Sequence, residues 1–252
     1  MKLTKLTSIP AGASIPIKDL GQEKLTELQV SLTRLGYPIG KIDGLYGPNS
    51  RNAWAEFVAD FQLGEPQSID ADDVKKLQQA MDKSTSSSAH RFSSKEGTID
   101  AIKAECEAQG LGLKTQIAYV LATADHETNH TLKPVKEAYW LKDPDAYLKA
   151  HHADYYPYYG RGFVQLTWKD NYAKYGKLLG RDLVGHPDLA LEPDVALFVL
   201  VHGFKIGTFT GRKLSDYVNK DATDFVNARR CINGLDRAND IASIARNYAA
   251  KL

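Results

Sequence analysis

The sequence predicts a mainly α-helical protein in which a small three-helix bundle is tethered to a larger helical domain. Three observations predict it. Apolar residues recur at three- and four-residue steps in separate stretches, Gly- and Pro-containing turns divide those stretches, and one small, polar, aperiodic segment interrupts the chain.

In the first part, Leu25, Leu28, Leu32 and Leu35 fall at helical spacing, and Gly36 is placed to close that helix. The loop IDGLYGPNS follows, and SRNAWAEFVADFQL restarts a helix with Ser50 as N-cap. A third helix, DADDVKKLQQAM, comes after Asp70. The leucines, Trp54, Phe57 and Phe61 form the expected core. Asp43, Gly44 and Gly47 invite a calcium reading, but one carboxylate is too few for a loop that needs several oxygens at alternate positions. The segment 83–89, KSTSSSA, has the composition of a flexible tether. The expected domains are 1–82 and 92–252, joined by a linker at 83–91.

In the second part, Ile117, Val120, Leu121 and Ala124 mark a helix with one buried stripe. The Val195–Val201 run is apolar enough for a core helix, with His202 a satisfied core histidine. His151 and His152, adjacent in a polar loop, are expected in solvent.

Composition narrows the function classes. Of 252 residues, 43% are hydrophobic and 25% charged, as in soluble globular proteins. A formal charge of +1 gives no argument for nucleic acid as a partner. Cys106 and Cys231 are too few for a disulfide framework and fit buried free thiols in a reducing compartment. The N-terminal stretch has no apolar core of signal-peptide length, and no span suits a membrane. Synthesis in the cytoplasm, release by a separate export route if the protein acts outside it, no stable membrane association and a monomeric state are expected.

Two carboxylates carry the chemistry. Glu127 and Glu137 lie ten positions apart, and YYGRGFVQLTWKDNY follows. Glycosidic hydrolysis needs one protonated carboxyl to expel the leaving oxygen and one ionised carboxylate to activate water or attack the sugar. Glu127 continues an apolar stripe at a helix C-terminus, where burial and the helix dipole favour the protonated form. Glu137 follows Pro134 on a connecting segment near Lys133 and Lys136, a setting that favours the ionised form. Tyr155, Tyr156, Tyr158, Tyr159 and Trp168 offer aromatic faces to sugars, and Arg161 is a candidate to orient a carboxylate.

His126-Glu127-Thr128-Asn129-His130 also matches H-E-x-x-H, in which two histidines one helical turn apart hold zinc. Three features count against it. The third metal ligand of the extended motif is absent, Pro134 interrupts the helix, and Thr128 and Asn129 suit a helix end.

At this point two resemblances emerge. LQVSLTRLGYPIGKIDGLYGPNSRNAWAEFVADFQ resembles the peptidoglycan-binding module that accompanies many cell-wall hydrolases. ADHET around Glu127, YYGRGFVQLTWKDNY and RCINGLDR resemble glycoside hydrolase family 19, shared by chitinases and phage endolysins. The order of binder then hydrolase is similar to a modular phage endolysin. The resemblance implies a peptidoglycan-binding bundle beside a two-lobed, lysozyme-like helical hydrolase. It places Glu127 on the general acid, Glu137 on the base and Thr167 on the hydroxyl that holds the attacking water. Gln165 and Asn171 fall on polar residues of the sugar cleft and Asn233 on a substrate-contacting Asn, while Tyr159 and Trp168 are expected to contact the sugar by their own aromatic chemistry. Phe163 stands where many relatives carry Pro, and Leu235-Asp236-Arg237 replaces a second Gly after Asn233-Gly234.

The expected function is hydrolysis of the β-1,4 glycan of bacterial peptidoglycan, muramidase-type and inverting, without metal or other cofactor. A chitinase acting on GlcNAc polymers is the first alternative. A zinc peptidase or amidase using His126, Glu127 and His130 is the second, and a non-catalytic wall-binding protein the third.

Overall fold

The computed structural model describes residues 2–252 apart from Gly36, Pro38 and Gly40, with backbone alone for 83–91. It is mainly helical, as the periodicity predicts, and divides into two compact units. One comprises residues 1–89 with 176–181, the other residues 90–175 with 182–252. Among the described residues no helix is long and apolar enough to cross a membrane.

The first unit contains the three expected helices, α1 (Gln22–Arg34), α2 (Pro48–Asp60) and α3 (Ala71–Arg91). Their core is Leu25, Leu28, Leu32, Trp54, Phe57 and Leu77, all almost without exposure. Phe61 stays near this core, 4.6 Å from Phe57 between ring centres, yet is 42% exposed because it caps α2 from outside. A short antiparallel pair, β1 (Ser14–Pro16) with β2 (Ser68–Asp70), was not legible as strands at three residues each.

Several local expectations change. α2 starts at Pro48 with Gly47 as its cap, since the fixed φ of proline suits a first helical position. Ser50 lies inside the first turn, and its Oγ receives the amide of buried Gln29. Gly36, the expected stop of α1, lies outside the described residues. The backbone of 83–91, expected to be a flexible tether, continues α3 as helix. Asp70 caps that helix by accepting the Asp72 and Asp73 N–H groups at 2.8 and 2.9 Å. Once nucleated, a helix extends through Ser and Thr at a cost of only about 0.5 kcal/mol per residue relative to Ala.

The second unit is built around α5 (Lys114–Glu127), buried on nearly every face. It packs on α4 (Lys95–Ala108), α8 (Pro193–Ile206) and α9 (Ala238–Lys251). α9 turns Ala238, Ile241, Ala242 and Ala245 inward, and these mostly small residues let two helix backbones approach closely. Tyr119 of α5 packs against Phe204 and Phe225, each 5.9 Å away between ring centres. α8 is the buried apolar helix expected around Val195–Val201. His202 on it is a core residue, stacked on Phe198 and 3.4 Å from the Tyr175 hydroxyl.

Outside this helical core lie α6 (Pro144–His151), the start of α7 (Lys169–Leu179), and a two-stranded antiparallel ladder. The ladder pairs β3 (Val135–Lys136) with β4 (Arg161–Gly162). It is short, but it frames the candidate site. Gly162 sits at φ +90°, and a Cβ there would meet Ala190 O at 3.2 Å and Ala196 Cβ at 3.3 Å. Only glycine lets β4 lie this close to α8.

Candidate active site

Glu127 is the last residue of α5, as the broken periodicity predicts. The helix stops there because Thr128 folds its hydroxyl back onto the Ala124 carbonyl at 2.7 Å, while Asn129 and His130 turn to positive φ. The expected apolar setting of Glu127 is incomplete. Its Oε1 accepts Nη1 of Arg229 at 2.6 Å, and that guanidinium is 4% exposed. Arg229 is held from behind, since its Nε donates to the Asp236 carbonyl at 3.0 Å. Sequence reasoning missed Arg229, which stands 102 positions away in a 3-10 turn, Asn227–Cys231.

Arg161, the sequence candidate for orienting a carboxylate, does other work. Its Nε meets Asp188 at 2.7 Å, and Nη1 donates to the Pro157 and Tyr159 carbonyls and the Tyr172 hydroxyl. It braces the turn that leads into β4. An arginine does pair with a proposed catalytic acid, but it is Arg229.

Glu137 follows β3, on the connection predicted for it, and is half-buried. Its carboxylate does not use the flanking lysines, and Lys136 turns instead to Asp145 at 3.4 Å. Oε1 accepts the Tyr155 hydroxyl at 2.8 Å, and Oε2 accepts the Gly160 N–H at 2.9 Å. The backbone closes the same joint, since Glu137 N–H donates to the Gly160 carbonyl at 2.7 Å. Gly160 leaves room for Gln165, whose Oε1 and Cβ would lie 2.7 and 3.0 Å from a Cβ there, so a larger residue would displace the Gln165 side chain.

Thr167 and its neighbours belong to this frame. Reciprocal backbone bonds between Arg161 and Leu166 fold residues 161–166 into a tight hairpin, and Trp168 N–H donates to the Tyr158 carbonyl at 2.9 Å. Thr167 Oγ1 donates to the Gln165 carbonyl at 2.8 Å, which leaves its lone pairs as acceptors. Gln165 donates Nε2 to the Val135 and Gly162 carbonyls, bracing β3 against the hairpin. Asn171 donates its amide to the Thr167 carbonyl at 2.9 Å.

The aromatic residues named from the sequence differ in exposure. Trp168 is 51% exposed, and its ring meets Tyr155 edge-on at 5.4 Å. Tyr159 is a correction: it is 1% exposed, lies beneath the Arg161 guanidinium and gives its hydroxyl to Asp145 at 2.7 Å. Its face is used by the core, so it cannot carry a sugar. Tyr139 and Trp140, just beyond Glu137, are exposed instead. Their only sequence signal was their place after the second acid.

The described site residues thus form two groups. Glu137, Tyr155, Gly160, Gln165, Thr167, Trp168 and Asn171 are joined through the β3–β4 frame. Glu127 and Arg229 form the other, which Asn233 joins by donating its N–H to the Arg229 carbonyl at 3.0 Å. The Asn233 side chain is exposed, and its Oδ1 caps Gly234 N–H.

The zinc reading loses its geometric premise. α5 ends at Glu127, so His130 is not one helical turn above His126. His130 faces Asp125 at 3.3 Å, beside Lys95 at 3.1 Å from the same carboxyl group. Of the adjacent histidines expected in a loop, His151 ends α6 and stacks on Tyr147, and His152 caps that helix and stacks on Tyr155. Burial pushes the Cys106 and Cys231 thiols up, the latter to about 12, as buried free thiols require.

No solved structure matches the chain. Among curated proteins, Chitinase 8 of Oryza sativa subsp. japonica is 55% identical over 42 residues, 17% of this chain and 16% of that protein. An endochitinase of Arabidopsis thaliana is 32% identical over 111 residues, 43% of this chain and 38% of that protein. A Hevea brasiliensis relative, 49% identical over 41 residues, 16% of this chain and 13% of that protein, is named an inactive chitinase-like protein. The chain thus spans well under half the length of these relatives. The family model described as chitinase class I matches residues 82–208, which include Glu127, Glu137 and Thr167 and stop short of Arg229 and Asn233. That match covers half of the sequence, and the chain belongs to glycoside hydrolase family 19.

Proposed function

We propose that this chain hydrolyses the β-1,4 glycan of bacterial peptidoglycan with inversion, using Glu127 as acid, Glu137 as base and Thr167 to hold the water. The observation that supports this reading is that both carboxylates within the family match are oriented by donors of their own. Glu127 meets a buried cation, whereas Glu137 is held by a phenol and a backbone N–H.

The roles follow from what each setting can do. As the glycosidic bond breaks, Glu127 gives its proton to the leaving oxygen, and Arg229 is in place to pair with the carboxylate that forms. Glu137 takes one proton from the attacking water. Thr167 Oγ1, whose own proton is committed to Gln165, accepts a hydrogen bond from the other, which stays on the oxygen and becomes the proton of the new anomeric hydroxyl. Water delivers its oxygen to the opposite face of the sugar, and the anomeric centre inverts. Trp168, half-exposed beside the base, offers an apolar face to a sugar ring.

The resemblance of residues 23–80 to wall-binding modules supports peptidoglycan as substrate, with the MurNAc–GlcNAc bond as the scissile one. The names of the plant relatives favour a second reading, chitin, which has the same backbone linkage. Digestion of purified peptidoglycan and of chitin tests both. New reducing ends from peptidoglycan support the first reading, and release from chitin alone supports the second. New amino groups without reducing ends defeat both.

A further inference from the structure

We propose that Tyr155 is the positioning residue of the base: its hydroxyl fixes one oxygen of Glu137 while its ring bears on the half-exposed Trp168 where a sugar is to stack. The inference rests on the reading of Glu137 as base and goes beyond it by naming what sets the base's orientation.

Glu137 has two short contacts, one per carboxylate oxygen, at 2.8 Å from Tyr155 and 2.9 Å from Gly160 N–H. The Gly160 contact belongs to the backbone and cannot be tuned by a side chain. The Tyr155 contact can move only with its ring, and that ring is clamped. His152 stacks on it at 5.2 Å and 18°, and Trp168 meets it edge-on at 5.4 Å and 70°. Tyr147 packs on His152 in turn, so the rings form a column from α6 to the base. Burial, then the Glu137 carboxylate, push the Tyr155 phenol up, so it remains a protonated donor across the working pH range.

Each carboxylate oxygen keeps lone pairs beyond these bonds, so a held Glu137 can still accept a proton from water along one fixed direction. A sugar resting on Trp168 presses on the ring that sets this direction. The platform and the base are thereby joined through one side chain. The other titratable groups near this pair are Asp154 and Tyr147 beside Tyr155, and Tyr172, which is bonded to Arg161 and to the Tyr159 carbonyl. Lys136, next in sequence, is engaged with Asp145.

Tyr155→Phe keeps the ring and removes the hydroxyl, so it tests the bond without emptying the column. On soluble glycan, kcat is expected to fall about ten- to a hundredfold, the range for a hydrogen bond to a charged group, with KM nearly unchanged. Losing a donor to the charged form also moves the acid limb of the kcat–pH profile upward. Trp168→Ala is expected to raise KM as well as lower kcat. A Tyr155→Phe enzyme that melts like the parent and keeps both kcat and the acid limb overturns the positioning role, provided Glu137→Gln is inactive. An active Glu137→Gln overturns the reading of the base, and this inference with it. Should Tyr155→Phe melt early, Tyr155→Trp and His152→Ala perturb the same column from either side. If both keep the parent's acid limb and kcat, the role is likewise refuted.

Discussion

Arg229 Nη1 donates to Oε1 of Glu127 at 2.6 Å across 102 positions of chain. The pair joins the last residue of a buried helix to a 3-10 turn near the C-terminus, and neither partner predicts the other. It fixes where the Glu127 carboxyl points and, on the proposed reading of Glu127 as acid, puts a positive charge where negative charge develops as the proton leaves.

Arg229→Ala is expected to lower kcat about 10²-fold, because a misplaced catalytic group loses alignment. Arg229→Lys recovers only part, since a point charge cannot hold both Glu127 and the Asp236 carbonyl. Steady-state rates of the two variants check this, and full activity in Arg229→Ala refutes it.

Glu127→Gln is expected to be nearly inactive, Glu137→Gln severely impaired and Thr167→Ala less so. The two glutamate losses should fall in the range of about 10²–10⁴-fold. The first-formed product should have the α configuration by NMR. A β product, or a trapped glycosyl-enzyme on Glu137, contradicts inversion. Inverting carboxyls stand about 6.5–9.5 Å apart and retaining ones about 5–5.5 Å.

Chelators are expected to leave glycan hydrolysis intact, and His130→Ala to retain most of it, because His130 lies beyond the end of α5 and faces Asp125. Loss of activity in EDTA with recovery on adding zinc would restore the metal reading.

Acid stability should depend on His202. Burial, followed by Lys174 and Lys205, pushes its imidazole down to about 3, against about 6.5 in an unfolded chain. Between those values the unfolded state binds a proton that the folded state refuses. Stability is therefore lost as pH falls from about 6.5 toward 3, by at most about 1.4 kcal/mol per pH unit. His202→Leu should narrow the difference in Tm between pH 7 and pH 4. An unchanged difference means that other groups govern the acid limb.

Gly162→Ala is expected to destabilise the second unit by about 1–3 kcal/mol, from its φ of +90° and the crowding against Ala190 and Ala196. A urea titration measures it. A neutral result means that β4 can move off α8, in which case the site frame is softer than its contacts imply.

Local sequence pattern specifies the mainly helical class, the three helices of the first unit, the end of α5 at Glu127 and the connection that carries Glu137. These are local features. A helical period, a proline, or a Thr-Asn pair at a helix end acts within a few residues, so the pattern is visible in a single line of text. Strand pairs of two or three residues have no such period, and the polar run at 83–91 looked like a tether because composition says nothing of a helix already nucleated upstream. Long-range packing alone places Arg229 rather than Arg161 on Glu127, buries Tyr159 in the core while Tyr155 holds Glu137, and makes Gln165 a brace. Each of those partnerships depends on which backbone segments lie side by side after collapse. Side chains far apart in sequence meet there because burial brings them together, and the chain's own spacing carries no record of the distance.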